Sequence, residues 1–423
     1  MPTVAFVVND LGIGGTERGM ATQAIALSGG PFEVRVVSLG PTGPLQQSLG
    51  QAGVRVDAVE GSLPTLVEAL RGVDVAVQLR EGDAAPLLPM AARLASVPHL
   101  VEWSMFGKVD RSPDREQFDC HLFVSRMIAL RYRKWIGKPA SCFHERHRVQ
   151  PLPIDPLLAA RAPPPREARI SLGLDPDRPV VGRVGRAVDI KWRNLLIDMI
   201  PFLHRAAPGT QVLLVGATPA KIKRLHARDL LDGCRLIEPT PDEERLAAIY
   251  AACDVFVSAS RIGESQGLAI LEAMSLGIPV VTCSMPWADN AQIEFVEHGR
   301  TGLIADHPRA FGEAVAELVR TPTLRDELGT NAREMVARNL GPGALGAQLV
   351  SLFSALMETG RPPAQWSPSP PELDAFAAEY KRRLGLSYRR LNARERVEVL
   401  AARARESAAA HLRAIPSRTH MTR

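Results

Sequence analysis

Short apolar runs alternate with helix-length amphipathic stretches from Thr3 to Val124, stop at a proline-rich segment, and resume at Val180. The runs Thr3 to Val8, Glu33 to Leu39, Arg55 to Ala58, Val73 to Gln78, Pro98 to Trp103 and Cys120 to Val124 read as strands. Continuous apolar runs suit strands buried on both faces, and their alternation with helices argues a doubly wound parallel sheet. The segment VQPLPIDPLLAARAPPPREARISLGL, from Val149 to Leu174, interrupts the rhythm with prolines that cannot donate to a sheet ladder. Strands at Val180 to Val184, Gln211 to Val215, Cys234 to Ile237, Asp254 to Ser260 and Ile278 to Cys283 then restart it, with helices at Trp192 to Arg205 and Glu243 to Ala252 among those between. A chain of 423 residues exceeds one ordinary core. The expected organisation is α/β: a first Rossmann-like domain over 1–158, a second over 159–358, and a proline-rich break with a basic helical extension over 359–423.

Charge separates along this plan. The chain carries a formal +5, but from Arg361 onward thirteen Arg and Lys face six Asp and Glu, a net +7, so the rest sums to −2. A basic tail on a slightly acidic body disfavours a nucleic-acid binder. Cys120, Cys142, Cys234, Cys253 and Cys283 lack paired spacing, which excludes a disulfide framework or zinc cluster and fits a reducing cytosol. The N-terminal MPTVAFVVNDLGIGG reads as a buried strand instead of a signal peptide, and no apolar stretch approaches the ~20 residues that span a bilayer. The expected location is cytoplasmic, with any membrane contact peripheral, at the inner face.

Chemistry concentrates at three strand ends. The turn Gly12-Ile13-Gly14-Gly15-Thr16-Glu17 follows the first strand and opens a helix, but its spacing fails the GxGxxG fingerprint. It is either a tight turn that needs glycine for sterics or an anion contact, with Gly15 the closest candidate. Arg186 and Lys191 follow the Val180 strand, where two cations suit a diphosphate that gains charge as it leaves. Arg183, inside that strand, reads as structural support. The stretch SASRIGESQGLAILEAMSLGIPVV, Ser258 to Val281, places Glu264 in a loop and Glu272 on the following helix. Glu272 sits among apolar residues and needs donors, for which sugar hydroxyls serve. The amides of Gln266, Gly267 and Leu268 open the same helix and suit sugar or phosphate oxygens. No metal cluster is expected. Asp175-Pro176-Asp177 reads as a turn at the wrong sheet end, His144 and His147 as surface or interface residues, and His121 as packed.

From Val180 to about Arg338 the chain resembles the donor domain of family 4 retaining glycosyltransferases, which have the GT-B fold. The residues that carry the likeness are Gly185, Arg186 and Lys191, the run ESQGLAILEAMSLGIPVV from Glu264, Gly14 and Gly15, and Leu152-Pro153-Ile154-Asp155. The resemblance implies two Rossmann-like domains about a cleft and a nucleotide-diphosphate sugar donor. Arg186 and Lys191 would hold the diphosphate, Glu272 the ribose and Glu264 the transferred sugar, with the amides from Gln266 to Leu268 assisting. It implies retention of configuration, no bound cofactor or metal, and a hydroxyl acceptor in a polysaccharide, glycolipid or small metabolite. Two departures stand out: Ser265 and Gln266 replace Gly-Phe, and Arg80 with Glu81 stands where a cleft histidine is expected, His99 falling in a loop. The alternatives are a nucleotide-sugar 2-epimerase or hydrolase of the same fold, and a non-catalytic sugar-nucleotide-binding protein. The final helix is expected to return to the first domain. The Arg-rich segment Ala393 to Ile415 is expected to pack on protein, in this chain or another subunit, with peripheral membrane contact or disorder as the alternatives.

Overall fold

The computed structural model describes residues 1–81, 85–108, 113–136, 140–286 and 288–389, with positions 393, 397, 400, 401 and 404. The first sheet contains β1 (Thr3–Val8), β2 (Glu33–Ser38), β3 (Arg55–Ala58), β4 (Val75–Arg80), β5 (His99–Ser104), β6 (Cys120–Phe123) and β7 (His147–Val149). Its order is β3-β2-β1-β4-β5-β6-β7, and all the pairs are parallel. The second half contains β8 (Val180–Arg183), β9 (Gln211–Val215), β10 (Cys234–Ile237), β11 (Val255–Ser258), β12 (Gly263–Glu264), β13 (Val280–Thr282), β14 (Asp289–Asn290) and β15 (Gly302–Ile304). Its main sheet runs β10-β9-β8-β11-β13-β15, and β12 pairs with β14 apart from it.

The strand order of each all-parallel main sheet reverses once, between β1 and β4 and between β8 and β11, the switch points where doubly wound sheets open a ligand crevice beyond their strand C-termini. Every residue of β1 and β4 is buried, as the continuous apolar runs require. The helix Gly15–Ser28 turns Met20, Ala24 and Leu27 inward.

Several elements depart from the sequence reading. The expected helix from Trp192 to Arg205 is a 3-10 turn, Asp189–Lys191, then helices Leu195–Asp198 and Ile200–Ala206. Pro201 lacks an amide to continue the ladder, so the second helix restarts around it. The helix Ala140–Arg146 and β7 carry no strong apolar period and were not expected. They also overturn the surface assignment of His147, which is 5% exposed and stacks on Phe143 with ring centroids 4.3 Å apart. His99 opens β5 instead of lying in a loop.

The run Pro322–Thr359 is apolar and long enough, by length and composition only, to cross a membrane, contrary to the expectation of no such stretch. It comprises two helices, Pro322–Asn339 and Pro342–Thr359. In the latter, Leu345, Leu349, Leu352, Phe353 and Leu356 are buried. Phe353 packs against Phe6 and Phe32, at 6.5 and 5.9 Å between ring centroids. This helix thus leaves the second sheet and completes the core of the first, as expected of the final helix. The chain continues through a strap: Trp366 donates to the Val149 carbonyl at 2.9 Å, and Arg148 to the Pro363 carbonyl at 2.7 Å. The helix Pro370–Arg389 lies on the first domain through Arg133–Asp374 at 2.7 Å and Arg126 over the Phe376 ring at 4.1 Å. It reaches the second through the Asn290 amide, which donates to the Tyr380 hydroxyl at 2.8 Å. Most of the Arg-rich segment from Ala393 to Ile415 lies outside the described residues.

Candidate functional site

The C-terminal ends of β1, β8 and β11 meet at one cleft, which encloses a cavity of about 180 Å³ bordered by Gly15, Arg186, Lys191, Glu264 and Glu272. On the β8 side the chain turns through Arg183, whose guanidinium donates to the carbonyls of Val215 at 2.8 Å and Lys191 at 2.9 Å. It also stacks over the Trp192 ring at 3.8 Å. Burial pushes the Arg183 pKa down to about 9, partly opposed by the Glu264 charge, so it remains cationic at neutral pH. Arg183 is therefore a brace for the loop that presents Lys191, as its place in the strand suggests. Arg186 is exposed on the same loop.

On the β11 side, Lys191 Nζ donates to Glu264 Oε2 at 2.7 Å. The Glu264 backbone is fixed from both directions. Its amide donates to Gln292 Oε1 at 3.0 Å, and its carbonyl accepts from the Ala291 amide at 2.8 Å. The carboxylate is thus aimed by its own main chain and pairs with the cation opposite.

The helix Leu268–Ser275 starts from Gly267, whose φ of 83° lies in the left-handed region that favours glycine. Its first amides have no intrahelical acceptor and open onto the cleft. Glu272 lies one turn inside, where its carboxylate accepts from the Tyr250 hydroxyl at 2.6 Å and pairs with Arg18 at 3.4 Å. Burial, and next the Glu272 charge, hold the Tyr250 pKa well above its ordinary value, which keeps the hydroxyl a donor. Arg18 belongs to the first domain, so Glu272 is gripped from both sides of the cleft. Neither Arg18 nor Tyr250 was singled out from sequence. Arg18 carried a usable signal, since it lies three residues after Gly15 on the same helix face.

Gly15 sits at a close approach of the two domains. A Cβ there would lie 3.1 Å from Leu268 Cδ1 and 3.2 Å from Leu268 Cβ. Sterics alone therefore favour a small residue, and the position also borders the cavity. Beside it, burial holds the Glu17 carboxyl above its ordinary range, opposed by its own amide and reinforced by Asp10.

Ser265 and Gln266 face the other domain. The Gln266 amide accepts from Leu152 N at 3.0 Å and donates to Leu152 O at 2.8 Å. Ser265 donates to Asp289 at 2.6 Å, and its carbonyl accepts from Ser125 at 2.6 Å. Both ends of the Gln266 side-chain amide are thus committed to Leu152.

The remaining candidates lie elsewhere. Arg80 is buried beside Glu102 at 3.7 Å, and Glu102 bonds the packed His121. Asp175 accepts from the Asp177 amide at 3.0 Å in an exposed turn. Among the described residues no three His, Cys, Asp or Glu side chains are grouped to hold a metal ion.

Residues 178–321 match the family model for glycosyl transferases group 1. The chain is 32% identical over 306 residues to the GDP-mannose-dependent alpha-(1-6)-phosphatidylinositol monomannoside mannosyltransferase of Mycolicibacterium smegmatis, covering 66% of this chain and 76% of that one. It is 30% identical over 316 residues to the alpha-D-kanosaminyltransferase of Streptomyces kanamyceticus, covering 72% of this chain and 78% of that one. In fold it is similar to Anabaena HepE, solved in complex with UDP and glucose, with a TM-score of 0.67 and 18% identity. That match covers 84% of this chain and 100% of the other.

Proposed function

The chain belongs to the family 4, group 1 glycosyltransferases with the GT-B fold, and from that premise we propose that it transfers a sugar from a nucleoside-diphosphate sugar to an acceptor hydroxyl with retention of configuration. The observation that carries this reading is the Lys191–Glu264 pair at 2.7 Å in the same cleft as the Tyr250–Glu272 pair. One carboxylate faces a cation suited to phosphate, and the other lies one turn into a helix whose first amides are open. In this reading residues 1–158 hold the acceptor and 159–358 the donor.

Lys191 and Arg186 stabilise the diphosphate as the C1–O bond to the leaving phosphate breaks. Glu272 accepts hydrogen bonds from the ribose hydroxyls, and Glu264 orients the transferred sugar. The amides of Gln266, Gly267 and Leu268, with the Gly15 turn opposite, hold oxygens at the helix N-terminus. The acceptor oxygen bonds to C1 on the face the phosphate leaves, and its proton passes to a departing phosphate oxygen. Cleft closure excludes water and holds donor and acceptor in register.

A panel of nucleoside-diphosphate sugars sets the test. Purified protein is incubated with GDP-mannose, UDP-glucose and dTDP-glucose and with a panel of hydroxyl acceptors, and the products are separated by mass and anomeric configuration. A donor-dependent α-glycoside from an α-linked donor is expected. Epimerised donor without acceptor, or nucleotide binding without turnover, overturns the proposal.

A further inference from the structure

Resting on the glycosyl-transfer reading, we propose that Gln266 is a positioning residue that docks the donor domain on the acceptor domain, so that it governs transfer over water attack and leaves sugar identity unread. Its side chain is 4% exposed and spends both halves of its amide on one residue, Leu152. That residue follows β7 in the segment that carries the chain from the first domain to the second. A terminal amide has one accepting and one donating end, and the main chain of one residue offers the matching pair. Leu152 itself packs on the first domain, where a Cβ added at Gly19 would lie 2.8 Å from Leu152 Cβ, so the bonds at 3.0 and 2.8 Å tie the loop before Leu268 to that domain.

The neighbouring contacts enforce the same placement. Ser125 donates to the Ser265 carbonyl at 2.6 Å, and Asp289 accepts from the Gly107 amide at 3.1 Å and from Arg131 at 2.7 Å. Asp289 belongs to β14, which pairs with β12, where Gly263 lies opposite Asp289 and Glu264 opposite Asn290. Glu264 is thus two residues from Gln266 along the chain and one residue pair from Asp289 across the ladder. The docking that Gln266 makes is the docking that sets the Glu264 carboxylate relative to the first domain.

The chemistry of the substitution supplies a specific test. Gln266→Ala removes both bonds, whereas Gln266→Glu keeps the volume and turns the donating end into an oxygen that faces the Leu152 carbonyl. A protonated glutamic acid restores a donor there, and its pKa is raised because burial and the facing carbonyl disfavour the anion. Gln266→Glu is therefore expected to recover as pH falls, relative to wild type at each pH, and Gln266→Ala is not.

The readouts are small-angle scattering, UDP and GDP binding by calorimetry, and the ratio of glycoside formed to free sugar released from GDP-mannose or UDP-glucose. Gln266→Ala is expected to enlarge the radius of gyration, change nucleotide affinity less than threefold, and lower the transfer-to-hydrolysis ratio about tenfold, the loss of two hydrogen bonds. A ratio and radius equal to wild type in both variants, or no pH-dependent recovery of Gln266→Glu, overturns the proposal. A changed donor-sugar preference also overturns it, by placing the side chain at the sugar. If wild type transfers no sugar while Gln266→Ala still expands the molecule, the functional reading fails and the docking role survives.

Discussion

The Lys191 ammonium and the Glu264 carboxylate, 73 residues apart, meet at 2.7 Å across the β8–β11 switch of the second sheet. Lys191 is presented by a loop braced by Arg183, and Glu264 by a main chain tied to Gln292 and Ala291. Neither can move far without releasing bonds elsewhere.

Lys191→Ala is expected to lower turnover by about two to three orders of magnitude, the usual loss when a charge-stabilising group at a leaving oxygen is removed. Both side chains are only 17–18% exposed, so leaving the Glu264 carboxylate without its partner should also lower stability, by about 1–3 kcal/mol. Initial rates with saturating donor, with a thermal melt as control, check this. Unchanged turnover removes Lys191 from the leaving-group site.

Tyr250→Phe separates the two grips on Glu272. It deletes the 2.6 Å bond and leaves Arg18 in place. The lost buried hydrogen bond should cost about 1 kcal/mol of stability, and an unfixed carboxylate should weaken nucleotide binding several-fold. Calorimetric titration with UDP and GDP reads the second effect. A stability loss with affinity unaltered would mean that Tyr250 only fills the core.

Glu17 sets a pH dependence with a definite sign. Burial raises its pKa above the ordinary 4.5, its own amide lowers it, and the Asp10 and Glu81 charges raise it against Arg186. The folded protein therefore holds that proton more tightly than the unfolded chain. The resulting stabilisation is complete below 4.5 and disappears as pH rises through the folded value. Glu17→Gln lacks this loss. Its melting temperature relative to wild type should be higher at pH 7 than at pH 4, and a difference constant across that range would count against the assignment.

The sequence exposed the features whose chemistry is local. Thr3–Val8 and Gln211–Val215 are continuous apolar runs, and the structure makes them strands with those bounds. Glu264, Lys191 and Glu272 could be named because each follows a strand end or interrupts an apolar helix. Partners across the cleft were illegible for the complementary reason. The Arg18–Glu272 and Arg131–Asp289 pairs join residues more than 150 positions apart, and no local period records which side chains two domains bring together. The same holds for β7, three residues whose strand character comes from pairing with β6. Gln266 is a further case: its place beside a donor motif does not record that its side chain bonds Leu152, 114 positions away.

The helix Pro342–Thr359 offers a test of why it is so apolar. Phe353 is fully buried and meets Phe6 of β1 and Phe32 just before β2, although it follows the second sheet in the chain. Gly346 of the same helix lies where an added Cβ would come 3.1 Å from Gln23 Nε2, so the helix seats closely on Gly15–Ser28. Phe353→Ala should therefore open a cavity in the first domain and cost about 3–5 kcal/mol. Exposed Leu157→Ala, by comparison, should cost under about 0.5 kcal/mol. Urea unfolding followed by Trp103 fluorescence, in a background with the other four tryptophans replaced by Phe, reads the core of the first domain beside Phe6. Phe353→Ala should move that transition to lower urea, because the residue closes the core that surrounds Trp103. If the transition is unmoved, the helix does not complete that core, and its apolar composition requires a different explanation.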